Sequence, residues 1–180
     1  MKKFTNVLFL TLLTSDVNAS AIDWDVVGKG DQWLIDENTY CMALNIYHES
    51  RSENLAGKFA VADVVMNRVY DRRYPESICG VIYQAEMKPS WKDPLNMIPV
   101  RNRCQFSWYC DGLSDEPLET YSWLRAKDIA YEMMYYSKHN GLTEGSTHYH
   151  ASYVKPSWSS HEKMRLIGRI GDHIFYKEEY

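Results

Sequence analysis

Leu55, Phe59, Ala62, Met66 and Val69 recur at helical spacing and mark one face of a helix. Val61, Val64 and Val65 widen that face, so the helix is expected to be mostly buried. It ends near Tyr70-Asp71-Arg72-Arg73, before Pro75. A shorter helix precedes it, capped by Asn38 or Thr39 and running to about Arg51. On this helix Met42, Ile46 and Glu49 share one face, and that face should point to the core. A carboxylate placed there is partly desolvated, which favours its neutral form. A carboxyl that stays protonated near neutral pH can protonate a leaving group.

The periodicity then weakens. Ser77 caps a short helix through Gly80-Val81-Ile82-Tyr83. Residues 85–103 carry Pro89, Pro94, Pro99 and Trp91 and read as a long loop, of the kind that forms a binding wall or lid. The run Gln105-Phe106-Ser107-Trp108-Tyr109 reads as a short extended segment. Gln105 and Ser107 then face a cleft while Phe106 packs inward. A turn follows at Asp111-Gly112. Pro117 fits the first position of another helix, with Ser114 or Asp115 as its cap, ending near His139 before Asn140-Gly141. Thr147 to Val154 is predicted extended, with His148 and His150 on one side and Tyr149 on the other. Arg165 to Ile170 and His173 to Lys177 flank Gly171-Asp172 and predict a tight hairpin. Helices first and a small antiparallel sheet last make an α+β arrangement.

A chain of 180 residues suffices for one domain with a sizeable core. The net charge of −4 argues against a nucleic-acid binder. Fourteen Tyr and six Trp supply either core or sugar-stacking surfaces. Lys2 and Lys3, the apolar stretch Phe4 to Leu13, and Val17-Asn18-Ala19 or Ala19-Ser20-Ala21 read as a secretory signal peptide. The apolar stretch is short for a membrane span, an uncleaved anchor being the alternative. The expected organisation is a signal peptide over 1–19, an N-terminal arm over 20–38 and a catalytic domain over 39–180. Export gives the cysteines meaning: Cys41, Cys79, Cys104 and Cys110 allow two disulfides in three pairings. None lies in a nucleophile motif.

Several blocks together resemble the SleB/CwlJ-type cell wall hydrolases, which include spore cortex-lytic enzymes and phage lysis-related proteins. They are Ala43-Leu44-Asn45-Ile46-Tyr47-His48-Glu49-Ser50-Arg51, the stretch Gly57 to Val69, Ile78 to Gln84, Cys104-Gln105-Phe106-Ser107-Trp108, and then Thr147 to Ala151, Pro156-Ser157-Trp158 and Ile170 to Tyr176. They span about residues 40–177. The resemblance implies a lysozyme-like fold, related to lytic transglycosylase domains, and action on peptidoglycan glycan strands. It places the family's catalytic glutamate on Glu49. His48 stands where many relatives carry an acidic or aromatic residue, and the 85–103 segment is longer than in the short spore enzymes.

Glycosidic cleavage needs an acid at the bridging oxygen, and a second carboxylate normally supports the oxocarbenium-like transition state. Glu53, Asp63 and Asp111 are the candidates for that partner. Glu53, at i+4 from Glu49, reads more naturally as a first-turn acid of the next helix. A single-glutamate site suits a lytic transglycosylase, which needs no metal or other cofactor. Gln105, Phe106 and Ser107 are candidate substrate contacts, Tyr149 is placed to orient Glu49, and Asn67 and Tyr83 are further cleft candidates. Two other readings compete. His148 and His150 with His48, His161 or His173 would suit a zinc-dependent N-acetylmuramoyl-L-alanine amidase, and a non-catalytic wall-binding protein would need no Glu49. The expected partner is the glycan strand, with no nucleic acid and only transient membrane contact during export. The expected location is the periplasm, wall or exterior.

Overall fold

The computed structural model describes residues 36–118 and 121–180. The expected signal peptide, and the arm as far as residue 35, lie outside the described residues. Helix α1 spans Glu37–Ser50 and α2 spans Leu55–Tyr70. The cap of α1 is Asp36 rather than Asn38 or Thr39. Its carboxylate accepts from the Thr39 amide at 3.1 Å and the Thr39 hydroxyl at 2.6 Å, meeting an otherwise orphan donor. Asn38 is used elsewhere, accepting from the Cys79 amide. Asn54 caps α2 through the Gly57 amide. Every residue from Gly57 to Val65 is buried, whereas Leu55, at the helix's first turn, is exposed.

Lys58 is the unexpected member of that buried run. Its ammonium donates to the carbonyls of Ser50, Arg51 and Glu53. The Ser50 and Arg51 oxygens end α1 and the Glu53 oxygen lies in the turn after it, so a buried cation here satisfies both itself and the negative end of the helix. The α1–α2 corner is thereby closed, one residue beyond Glu49.

Helix α3, Ile78–Ile82, starts at the expected Ser77 cap. Cys41 bridges Cys79 and Cys104 bridges Cys110, selecting one of the three pairings. The first ties α1 to α3. Residues 85–103 are not a loop: β1, Ala85–Pro89, and β2, Met97–Cys104, form an antiparallel hairpin. A two-stranded ribbon is all edge, and an edge tolerates proline's missing amide, so Pro89 and Pro99 do not break it.

The expected extended run at 105–109 also gives way after Phe106, to a 3-10 turn over Ser107–Cys110. An extended segment from Cys104 to Cys110 would separate their Cα atoms by roughly 20 Å. The disulfide holds them at 6.2 Å. Helix α4 spans Tyr121–Tyr136, so Pro117 is not its first residue and Ser114 and Asp115 are not its caps. It stops short of His139, where Ser137 and His139 take left-handed backbone conformations.

Strands β3 (His148–Ala151), β4 (Met164–Ile170) and β5 (His173–Glu178) form an antiparallel sheet in the order β3-β5-β4. Gly171 turns the β4–β5 hairpin at φ +60°, and a Cβ there would run into the Glu53 carboxylate. The main core joins α1, α2, α3 and α4 with Phe106 and Trp108. Phe175 of β5 meets Ala60 and Val64 of α2 in a smaller cluster, and Tyr149 packs against both. No helix among the described residues is long and apolar enough to cross a membrane.

Candidate active site

Glu49 sits in the last turn of α1, after the buried Met42 and Ile46 of its own face. It lines a cavity of about 600 Å³ with Tyr47, His48, Arg51, Ser107 and Trp108, closed on one side by Asp111 and residues 113–118. From β3, the Tyr149 hydroxyl donates to Glu49 Oε2 at 3.0 Å. Burial pushes the Glu49 carboxyl above its ordinary value, and the Tyr149 hydrogen bond and the positive charge of Arg68 only partly oppose that rise. The Tyr149 phenol is itself pushed well above its ordinary value by burial and by the Glu49 charge, so it remains a donor.

Arg68 is a buried cation near Glu49 that the sequence reading did not single out. Its Nε donates to the Thr147 carbonyl at 2.8 Å. Its guanidinium carbon lies 5.4 Å from the Tyr74 ring centroid and 5.2 Å from that of Phe106. Burial lowers its basicity, while Tyr149, Tyr74 and Glu49 support its charge. The signal was present: Arg68 follows Val61, Val64 and Val65 at helical spacing, a cation on an apolar stripe.

His48, weighed from the sequence as a zinc ligand, and Trp108, not singled out there, also line the cavity. Their rings stack with centroids 4.6 Å apart, and His48 Nε2 lies 3.1 Å from the Asp115 carbonyl oxygen. Trp108 is fixed in turn by donating to Asn45 Oδ1 at 3.1 Å. The His48 contact ties Asp115 to α1, and residues 113–118 form one wall of the cavity. Burial raises the Asp115 carboxyl, with His48 opposing and Asp111 adding to the rise. Arg51 lies over the Tyr47 ring at 5.0 Å, at the cavity wall.

The remaining expected site residues divide. Ser107 lines the cavity and is exposed. Gln105 is exposed but does not line it. Phe106 is buried beneath Arg68 and supports it rather than facing substrate. Tyr83 packs on Tyr109 and Trp108, behind the cavity wall. Asn67 donates to Thr143 Oγ1 and the Ser146 carbonyl and lines a separate cavity of about 220 Å³, away from Glu49.

Two of the candidate second carboxylates are engaged elsewhere, while the third, Asp111, lines the Glu49 cavity. Glu53 precedes the α2 cap instead of sitting in the first turn; it accepts from the Asp172 amide at 2.9 Å and lies 3.0 Å from His173 Nδ1. Asp63 is buried and accepts from the amides of Gly141 and Thr143 and the Thr143 hydroxyl. Asp111 is at the cavity rim and accepts from the Leu113 amide. His148 and His150 pack around Trp158, with His148 beside Thr147 Oγ1 and His150 beside Tyr176 Oη. Among the described residues, no group of three or more His, Cys, Asp or Glu is placed to hold a metal.

The family described as cell wall hydrolase matches residues 52–176. Arg68, Ser107, Trp108 and Tyr149 fall inside that stretch, and Glu49 falls just before it. The catalytic domain of the Bacillus cereus SleB protein is 23% identical, with a TM-score of 0.52, covering 79% of this chain and 91% of that one. The catalytic domain of the germination-specific lytic transglycosylase SleB from Bacillus anthracis is 24% identical, with a TM-score of 0.55, covering 79% and 97%. These likenesses show the expected α+β, lysozyme-like fold. No curated protein matches the chain.

Proposed function

The chain belongs to the cell wall hydrolase family, and on that premise we propose that it cleaves the MurNAc–GlcNAc glycosidic bond of peptidoglycan as a lytic transglycosylase, with Glu49 as its one acid and base. The observation that carries this reading is a carboxyl in a cavity wall, held towards its neutral form by burial, with a phenol donor and a buried cation beside it. The neutral acid protonates the bridging oxygen as C1 of the muramic ring gains positive charge. Glu49 is then a carboxylate, and the Tyr149 hydroxyl and the Arg68 charge stabilise it. It next accepts the proton of the substrate's own 6-hydroxyl, whose oxygen attacks C1. A 1,6-anhydro end forms, Glu49 is protonated again and no water is consumed. The Bacillus anthracis relative of the same fold is described as a lytic transglycosylase. Glu53 and Asp63 are engaged in hydrogen bonds with other elements, which removes them as a second acid and leaves Asp111, at the cavity rim, as the remaining one of the three candidates. The proposed organisation is an exported chain, with residues 1–19 as signal peptide and 39–180 as catalytic domain.

Mass spectrometry of fragments released from purified sacculi tests the bond. Muropeptides with intact stem peptides and anhydro ends are expected. Free stem peptides would identify an amidase, and absence of any product would identify a wall binder.

Tyr149→Phe tests the site's electrostatics. The lost hydrogen bond stabilised the carboxylate, so its removal raises the Glu49 pKa further. The basic limb of kcat/KM should move to higher pH, and the plateau should fall by about 10-fold as the carboxylate intermediate loses its donor. A limb unmoved or shifted to lower pH would remove Tyr149 from this role.

A further inference from the structure

The β1–β2 hairpin takes no part in the cavity: none of its residues lines it. Its principal packing partner is the 3-10 turn after β2. Cross-strand pairing sets Met87 opposite Pro99 and Pro89 opposite Met97. Since side chains alternate along a strand, these four share one face of the ribbon and make its tip-ward part apolar, with Arg101 next along the same face. The tip is ordered. The Ser90 amide donates to the Asn96 carbonyl at 2.8 Å, and Asp93 accepts from the Leu95 amide at 3.1 Å. This turn presents Trp91 at 85% exposure and Leu95 at 94%. Met87 and Met97 are exposed as well. Large apolar side chains grouped at an exposed tip mark an interaction surface.

Charge identifies the partner. The chain as a whole carries −4, yet the hairpin holds four basic residues, Lys88, Lys92, Arg101 and Arg103, against Glu86 and Asp93. All four are exposed. Lys92 lies beside the Trp91 ring, its ammonium 5.3 Å from the centroid, and Arg103 is 3.9 Å from Glu86. Indole, leucine and methionine at a tip with lysines close behind match an anionic bilayer surface: apolar groups enter the acyl boundary and ammonium groups meet headgroup phosphates. A glycan strand offers sugar faces on which Trp91 could stack, but no apolar interior into which Leu95, Met87 and Met97 could insert together.

We propose that the β1–β2 hairpin docks the protein on an anionic lipid surface, with Trp91 and Leu95 inserted and Lys88 and Lys92 at the headgroups. The surface is separate from the cavity, so the enzyme can work on glycan while its hairpin rests on a bilayer. Membrane contact then extends beyond the export step.

Sedimentation with vesicles tests this. The full chain and its variants share residues 1–35, so a difference between them belongs to the hairpin. Wild type should bind phosphatidylglycerol-containing vesicles more tightly than pure phosphatidylcholine vesicles, and less tightly as salt rises. Trp91→Ser with Leu95→Ser should weaken the apparent Kd for anionic vesicles by about 10-fold or more. Lys88→Glu with Lys92→Glu should weaken it as well. Both pairs should release muropeptides from sacculi at the wild-type rate, which also shows that they fold. Equal vesicle binding by wild type and variants would overturn the proposal. So would loss of sacculus binding in the variants, which would make the hairpin a wall contact. A wild-type dimer dispersed by the serine pair would overturn it too, as a self-association surface.

Discussion

Glu49→Gln should lower the rate of muropeptide release by about 1,000-fold, within the range for removing a positioned general acid. Gln keeps the shape and an oxygen for the Tyr149 hydroxyl but has no proton to give to the bridging oxygen. The loss should therefore fall on kcat, with binding to sacculi retained. The stability change has a definite sign. The folded-state pKa of Glu49 lies above its ordinary value. The folded protein thus holds that proton more tightly than the unfolded chain does. The resulting contribution is fully present below the unfolded pKa and is lost as pH rises through the folded pKa. Gln cannot ionise, so Glu49→Gln should gain on wild type in thermal midpoint as pH rises from acid to neutral. An inactive variant whose midpoint collapses at every pH would point to misfolding instead, and a fully active one would exclude Glu49 as the acid.

Asp63→Ala should cost about 3–4 kcal/mol, and lower the thermal midpoint by about 10 °C. The Asp63 carboxylate accepts from the Gly141 amide at 2.7 Å, the Thr143 amide at 2.8 Å and the Thr143 hydroxyl at 2.6 Å, with Asp63 and Thr143 both buried. Alanine leaves the two buried Thr143 donors dry and unpaired. The connection they hold is itself unfavourable, since Ser137, His139 and Glu144 all have positive φ. It also leads into Thr147, whose carbonyl holds Arg68, and on to Tyr149. Activity should consequently fall along with stability. Asp63→Asn, which keeps an acceptor oxygen, should recover part of both. A midpoint for Asp63→Ala within about 2 °C of wild type would show that the connection is held by other contacts.

Local patterning accounts for what the sequence made legible. The stripe on α2, the Ser77 cap and the Gly171 turn are decided within a few residues, and so they were readable. Glu49 was readable because Met42 and Ile46, on its own helix, predict its burial. Failures came where distant contacts decide. The 85–103 segment looks loop-like because of its prolines, until its pairing as a free ribbon makes them harmless. The 3-10 turn at Ser107 depends on a disulfide whose pairing the cysteine positions leave open. Pro117 has good helix-start chemistry, but His48 and the cavity hold its segment outside any helix. Asn67 was named a cleft candidate, and Phe106 a substrate contact although alternation already turned it inward. Their directions are set by Thr143, Ser146 and Arg68, which lie on other elements. Lys58 and Arg68 are charges on buried helical faces, the same kind of signal as Glu49, and they went unread because neither is a carboxyl suited to act as acid and base in glycosidic cleavage.

The fate of solvent oxygen tests the catalytic proposal most directly. Sacculi digested by the wild-type enzyme in heavy-oxygen water should release muropeptides whose new muramic ends are anhydro rings free of the label, because the attacking oxygen is the substrate's own 6-hydroxyl. Reducing ends carrying the heavy oxygen would contradict the account, showing that water rather than the 6-hydroxyl completes the reaction.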